Sequence, residues 1–190
     1  MTFNISFDYR LDDAGFFTGA AKTALEEAAA IWENLIGDEF PDVPAGLDLS
    51  VRDPESGNDT TVALTDPIDD VRIFVGASDP PFQESDGPLA QAGYTSAGLL
   101  GDRFHTRVGD NFRTGQVSDF QPYVGTFSVD PSFNWHFGTA SGPGANAYDF
   151  LSTALHEIGH VLGLGTAPIF RDIAEGGFDG PNTKDANGGN

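Results

Sequence analysis

The sequence predicts an α+β or α/β domain, with a sheet of about five strands, one long helix near the N-terminus and a second near the C-terminus. Three observations carry this. Residues alternate apolar and polar in "FNISFDYR" at the start of the chain. The period lengthens to three and four residues between Thr18 and Ile36. A helical period returns in "AYDFLSTALHEIGHVLGL", after several further alternating stretches.

Taken in order, Phe3, Ile5, Phe7 and Tyr9 share one side of a first strand, with Asn4, Ser6 and Asp8 on the other. Ala21, Leu25, Ala28, Trp32 and Leu35 then mark the apolar face of a helix, with Thr18 as its N-cap and Gly37 as its stop. Trp32 reads as core. "LDLSVRD" is a second strand, "DDVRIFVGAS" a third, "PLAQAGYTS" a short fourth and "YVGTFSVD" a fifth. Residues 98–122 carry no clear period. In the final helix Leu151, Leu155, Ile158 and Leu162 form an apolar stripe. No internal repeat is evident.

Composition narrows the functions open to such a domain. Its 190 residues suffice for one domain with a core. Acidic residues number 29 against 9 basic ones, a net charge of −20, which repels nucleic acid and anionic membrane surfaces. With no cysteine, disulfides and thiolate metal sites are excluded. No apolar run reaches the ~18 residues that span a bilayer. "MTFNISFDYR" has neither a basic nor an apolar leader region, so the chain is expected to be intracellular or to begin after an export signal. Oligomeric state is not legible.

The chemistry concentrates in "STALHEIGHVLGLGTAPIF". Residues four apart stack on one helical face, so His156 and His160 can grip one divalent ion through imidazole nitrogens. Glu157 stands one step round, beside the ion. Zinc in such a site lowers the pKa of its water from ~15.7 to about 7 and polarises a substrate carbonyl. Glu157 can take the water's proton and deliver it to the leaving amine, without a covalent intermediate. Gly163 sits where a left-handed residue ends the helix and turns the chain. The competing reading is a helix whose histidines are merely surface polar groups.

"HEIGHVLGLG" resembles the signature of the metzincin zinc metalloproteases, H-E-x-x-H-x-x-G-x-x-H, in all but its last position. The order strand, helix, strands, helix is also similar to a metzincin N-terminal subdomain. The resemblance implies a twisted mixed sheet with an antiparallel edge strand, the motif lying on the active-site helix. It implies a secreted zinc metalloendopeptidase whose substrate is a protein or peptide. It also implies that "PLAQAGY" is the edge strand along which substrate lies, giving Leu89, Ala90, Gln91, Ala92 and Gly93 as substrate-binding residues. "VGTFSVDPSFNWHF" resembles the strand and loop that follow.

Two features depart from that family. Thr166 stands at the third histidine position, and no histidine follows His160. The family's methionine turn is also missing, because the only methionine is Met1. The expectation is a single catalytic domain over residues 1–190 whose C-terminal subdomain lies beyond Asn190. "GTAPIFRDIAEGGFDGPNTKDANGGN" resembles the opening of the insertion that precedes a late third histidine in leishmanolysin-like members. The alternative is a silent metzincin-fold binding module, or a weak two-histidine metal site.

Other candidate ligands carry plainer readings. Glu175 and Asp172 follow His160 at distances other zincins use, yet both read first as exposed acids. His105 and His136 read first as surface or packed histidines. Loops rich in Asp, Asn and Gly, "DPESGNDT", "TDPIDD", "GDNFRTG" and "FDGPNTKDANGG", read first as solvated turns. The resemblance implies structural calcium in such loops.

Overall fold

The computed structural model describes residues 2–78, 87–95, 120–138, 142–168 and 170. Its elements are β1 (Ile5–Asp8), α1 (Gly19–Leu35), β2 (Asp48–Arg52), β3 (Asp59–Ala63), β4 (Val71–Ala77), β5 (Ala90–Tyr94), β6 (Val124–Val129), β7 (Trp135–His136), β8 (Tyr148–Asp149) and α2 (Phe150–Val161). The class is mixed α and β, as expected.

The principal sheet has four strands rather than about five, in the order β1-β4-β6-β5. β1, β4 and β6 are parallel, while β5 runs antiparallel to β6 at the edge. The strand expected from "LDLSVRD" is β2, but it is not in this sheet. It pairs with β3 as a separate antiparallel hairpin, joined by the turn at residues 53–58. β3 was missed because "DTTVA" turns only Val62 into the protein, too little alternation to announce a strand.

The sheet separates two apolar layers, and side-chain alternation dictates which residue joins which. Ile73, Val75, Phe127 and Val129 face the helices, beside Leu25, Ala28, Phe150 and Ile158. Phe74 and Val124 face the other way and pack under Leu49, Val51 and Val62 of the hairpin.

α1 begins after Thr18, whose hydroxyl makes no capping bond, and ends at Ile36 in extended conformation. Gly37 therefore follows the helix without the left-handed geometry of a glycine stop. Ala21, Leu25 and Ala28 are buried as expected. Leu35 is not, being 72% exposed in the last helical turn. Trp32 is only half-buried. Its indole N–H donates to the Leu155 carbonyl at 3.1 Å, which ties α1 to α2.

α2 starts at Phe150, later than its apolar period announced, because Tyr148 and Asp149 pair with Trp135 and His136. Asp149 caps it, its carboxylate accepting the Ser152 N–H at 3.1 Å. Phe150 anchors this end among the rings of Phe16, Phe17, Phe127, Trp135 and Phe137, with centroids 5.1–6.3 Å away. The buried stripe of α2 is Phe150, Ala154, Ile158 and Val161. Of the expected stripe only Ile158 is fully buried, and Leu151, Leu155 and Leu162 lie partly covered at its flank. The cause is a helix wedged between the sheet and α1, which buries a broader arc than one packed on a single neighbour.

A buried carboxylate fixes the far edge. Asp70, at φ +58°, accepts the Asn4 N–H at 2.9 Å and the Phe40 N–H at 2.5 Å. It thereby joins the approach to β1, the segment after α1 and the start of β4. On α1, Glu33 accepts the Ile5 N–H at 2.8 Å, a β1 group that points away from β4.

Candidate metal centre

His156 and His160 lie one turn apart on α2, with Nε2 atoms 3.0 Å from each other. Two imidazoles on a tetrahedral zinc, at Zn–N of about 2.0–2.1 Å, hold their nitrogens ~3.3 Å apart. The pair is therefore already near the separation an ion requires. At this distance one Nε2–H can also donate to the other Nε2, and the rings meet edge to face at 83°.

The turn after α2 sets the orientation of His160. Gly163 N–H donates to the His160 carbonyl at 3.2 Å and Leu164 N–H to the Gly159 carbonyl at 2.9 Å. That pair of bonds is the Schellman arrangement, and Gly163 takes the φ of +99° that it demands. The glycine stop expected from sequence is present. The reversal swings the Leu164 carbonyl back to His160 Nδ1, 2.7 Å away. A carbonyl only accepts, so Nδ1 carries the proton and the Nε2 lone pair faces His156. Such an outer partner fixes both tautomer and ring direction in metal sites. Gly165 takes a φ of +76°, which favours glycine, and lies against the His160 ring, where a Cβ would make ordinary contact at 3.5 Å from Cε1.

Thr166, at the position of the missing ligand, is not turned to the pair. Its hydroxyl donates to the His160 carbonyl at 2.7 Å, capping the helix end. Among the described residues the only acid or imidazole joining the two histidines is Glu157, with ligand atoms of the trio within 4.8 Å of one another. His136 is in β7 and outside that group. His105, Asp172 and Glu175 lie outside the described residues.

Glu157 is 7% exposed and faces β5. Burial raises its carboxyl pKa; the charge of His160 and a hydrogen bond from the Ala92 backbone pull it back. The Ala92 contact has a geometric cause. Thr95 N–H donates to Val124 and Asp130 N–H to the Leu89 carbonyl, so Leu89, Gln91, Gly93 and Thr95 turn their backbone toward β6. Ala90, Ala92 and Tyr94 therefore turn theirs away from β6. Of the five residues expected to bind substrate, only Ala90 and Ala92 offer edge groups, and Tyr94 joins them. No sequence signal showed this, because hydrogen-bond phase depends on the partner strand.

A second acidic group, Glu39, Asp69 and Asp70, brings its oxygens within 4.8 Å. It spans the end of "TDPIDD", one of the loops considered for calcium. Both Asp70 oxygens already accept backbone N–H groups, which accounts for its burial without a cation. In "DPESGNDT" the Asp53 carboxylate likewise accepts the N–H groups of Glu55 and Ser56 within its own turn. The loops "GDNFRTG" and "FDGPNTKDANGG" lie outside the described residues.

No protein-family model, no curated protein and no solved structure matches this chain. The candidate metal centre accordingly rests on its geometry alone.

Proposed function

We propose that this chain is a zinc-dependent metalloendopeptidase of the metzincin type, with His156 and His160 as ligands and Glu157 as general base. One observation carries the reading. Two imidazole Nε2 atoms converge to 3.0 Å, one ring locked by the Leu164 carbonyl, beside a buried glutamate at the edge of a sheet. The donor set suits zinc, which takes imidazole readily at tetrahedral geometry. When bound, zinc supplies Lewis-acid polarisation of the scissile carbonyl and acidifies a water.

The chain's own groups do the rest. A protein or peptide substrate pairs as an added strand on the outer side of β5, at Ala90 and the Ala92 carbonyl, which sets its scissile bond over α2. Glu157, at that same edge, takes a proton from the attacking water on its carboxylate and yields it to the departing amine. Low solvent exposure raises the carboxylate's proton affinity, which favours the first transfer. The third ligand comes from outside the described residues. A secreted setting accompanies this reading.

The test pairs metal analysis with kinetics. Purified protein is expected to hold one zinc per chain, removable by chelator, and to cleave a denatured protein substrate. Glu157→Ala is expected to keep the zinc and lose cleavage by ~10²–10⁴-fold. Protein that holds no zinc, or Glu157→Ala protein that cleaves like the parent, sinks the proposal. One observation favours a second reading, a silent binding module: Thr166 is engaged in capping and supplies no ligand. Zinc-loaded protein that binds peptides without cleaving them supports that alternative.

A further inference from the structure

The edge that carries Ala92 has another face, turned away from α2. There the hairpin and the sheet part near β5 and leave a cleft of about 800 Å³. Gly93 and Thr126, neighbours across β5 and β6, lie along its floor. Arg52, Asp53, Glu55 and Asp59 line its opposite side, three carboxylates against one guanidinium.

Strand alternation decides what enters. Ala90 and Ala92 pack toward the helices, so Gly93 faces the cleft. On a strand added beside β5, the residue opposite Gly93 points to the same face. It starts ~4.8 Å from β5 and needs a long side chain to cross that strand. Gly93 leaves the passage clear: a Cβ there would meet nothing within 4 Å. The far side is short of positive charge. Burial raises the Glu55 carboxyl pKa; the Ala14 N–H opposes this, and Asp12, Asp13 and Asp53 add to the rise by repulsion.

We infer that this cleft is a specificity subsite for a lysine or arginine of the substrate, reached over Gly93 and held by the carboxylates of the β2–β3 turn. The inference rests on the edge-pairing reading above. It adds a charge preference on the face of the sheet that the zinc chemistry does not use.

Fluorescent extended peptides, differing only in Lys, Ala or Glu at each position in turn, test it by anisotropy. Zinc-loaded Glu157→Gln protein keeps cleavage from intruding, and the unaltered chain is assayed for hydrolysis in parallel. At one position, Lys is expected to bind about tenfold tighter than Glu. Gly93→Leu is expected to reduce that ratio to about one, with the melting temperature unchanged. Glu55→Gln, which keeps an acceptor for Ala14 N–H, is expected to lower it partway. Equal binding of Lys and Glu peptides, a preference that survives Gly93→Leu, or no peptide binding at all overturns the inference. Lysine preference without hydrolysis supports the cleft and counts against the peptidase; hydrolysis without preference does the reverse.

Discussion

Replacing Gly163 with alanine should damage both the fold and the proposed metal centre, and the two losses can be measured separately. Its φ of +99° lies where side chains are strained, at a cost of ~1–2 kcal/mol for a Cβ in left-handed conformation. The added methyl also has no room. It would stand 2.6 Å from Phe120 Cε1, 2.9 Å from Phe120 Cδ1 and 3.0 Å from Ala167 Cβ. Overpacking of that kind costs about 1–3 kcal/mol. Together these give a destabilisation of ~2–5 kcal/mol. At about 2–4 °C per kcal/mol for a chain of this size, the melting temperature should fall by roughly 4–20 °C. The turn also carries the Leu164 carbonyl to His160 Nδ1. Loss of an outer-shell partner typically weakens metal binding ~10–100-fold. Thermal denaturation of the metal-free protein reads the first effect, and competition with a chromophoric zinc chelator reads the second. Gly93→Ala is the control, with open space at its Cβ. A Gly163→Ala protein that melts within 2 °C of the parent and holds zinc as tightly would refute the link from turn to ligand.

Other substitutions probe separate parts of the argument. Glu157→Gln should abolish cleavage by ~10²–10⁴-fold in a peptide assay. It should also raise the melting temperature of metal-free protein at pH 7, because the glutamate pKa is raised and its charged form is disfavoured by burial. The sign follows: metal-free parent protein gains stability as pH falls through that raised pKa, and the Gln variant does not. Asp70→Ala removes the acceptor for two backbone N–H groups and places alanine at φ +58°, so chemical denaturation should show a loss of ~3–5 kcal/mol. Tyr9→Phe should hold or raise stability by up to ~1 kcal/mol, since the hydroxyl is buried with no hydrogen-bond partner among the described residues. Burial, then Glu26 and Asp12, raise the Tyr9 pKa, so parent stability should decline above about pH 10 as the unfolded tyrosine ionises. The Phe variant should lack that component.

Elements whose signal is local were legible in the sequence. The alternation of Phe3 and Ile5, the period of Ala21, Leu25 and Ala28, and the glycine that ends α2 all rest on one segment's own burial or backbone. Sheet membership was not legible, because "LDLSVRD" alternates in the same way whichever strand it joins. The motif placed His156, Glu157 and His160 together, since helical spacing alone achieves that. It did not reveal that the Leu164 carbonyl orients His160, or that Glu157 meets the Ala92 backbone. Those contacts depend on a reversal and on a strand 65 residues earlier in the chain.

The glutamates Glu33 and Glu157 occupy equivalent stations, each reaching from a helix to a backbone N–H on an outermost strand, Ile5 in one case and Ala92 in the other. Unpaired strand margins invite copies of a protein to stack, and anions posted along them discourage it. The repulsion of a −20 chain fades near its isoelectric point of about 4.1. Mild acid should therefore favour the stacking of copies strand to strand.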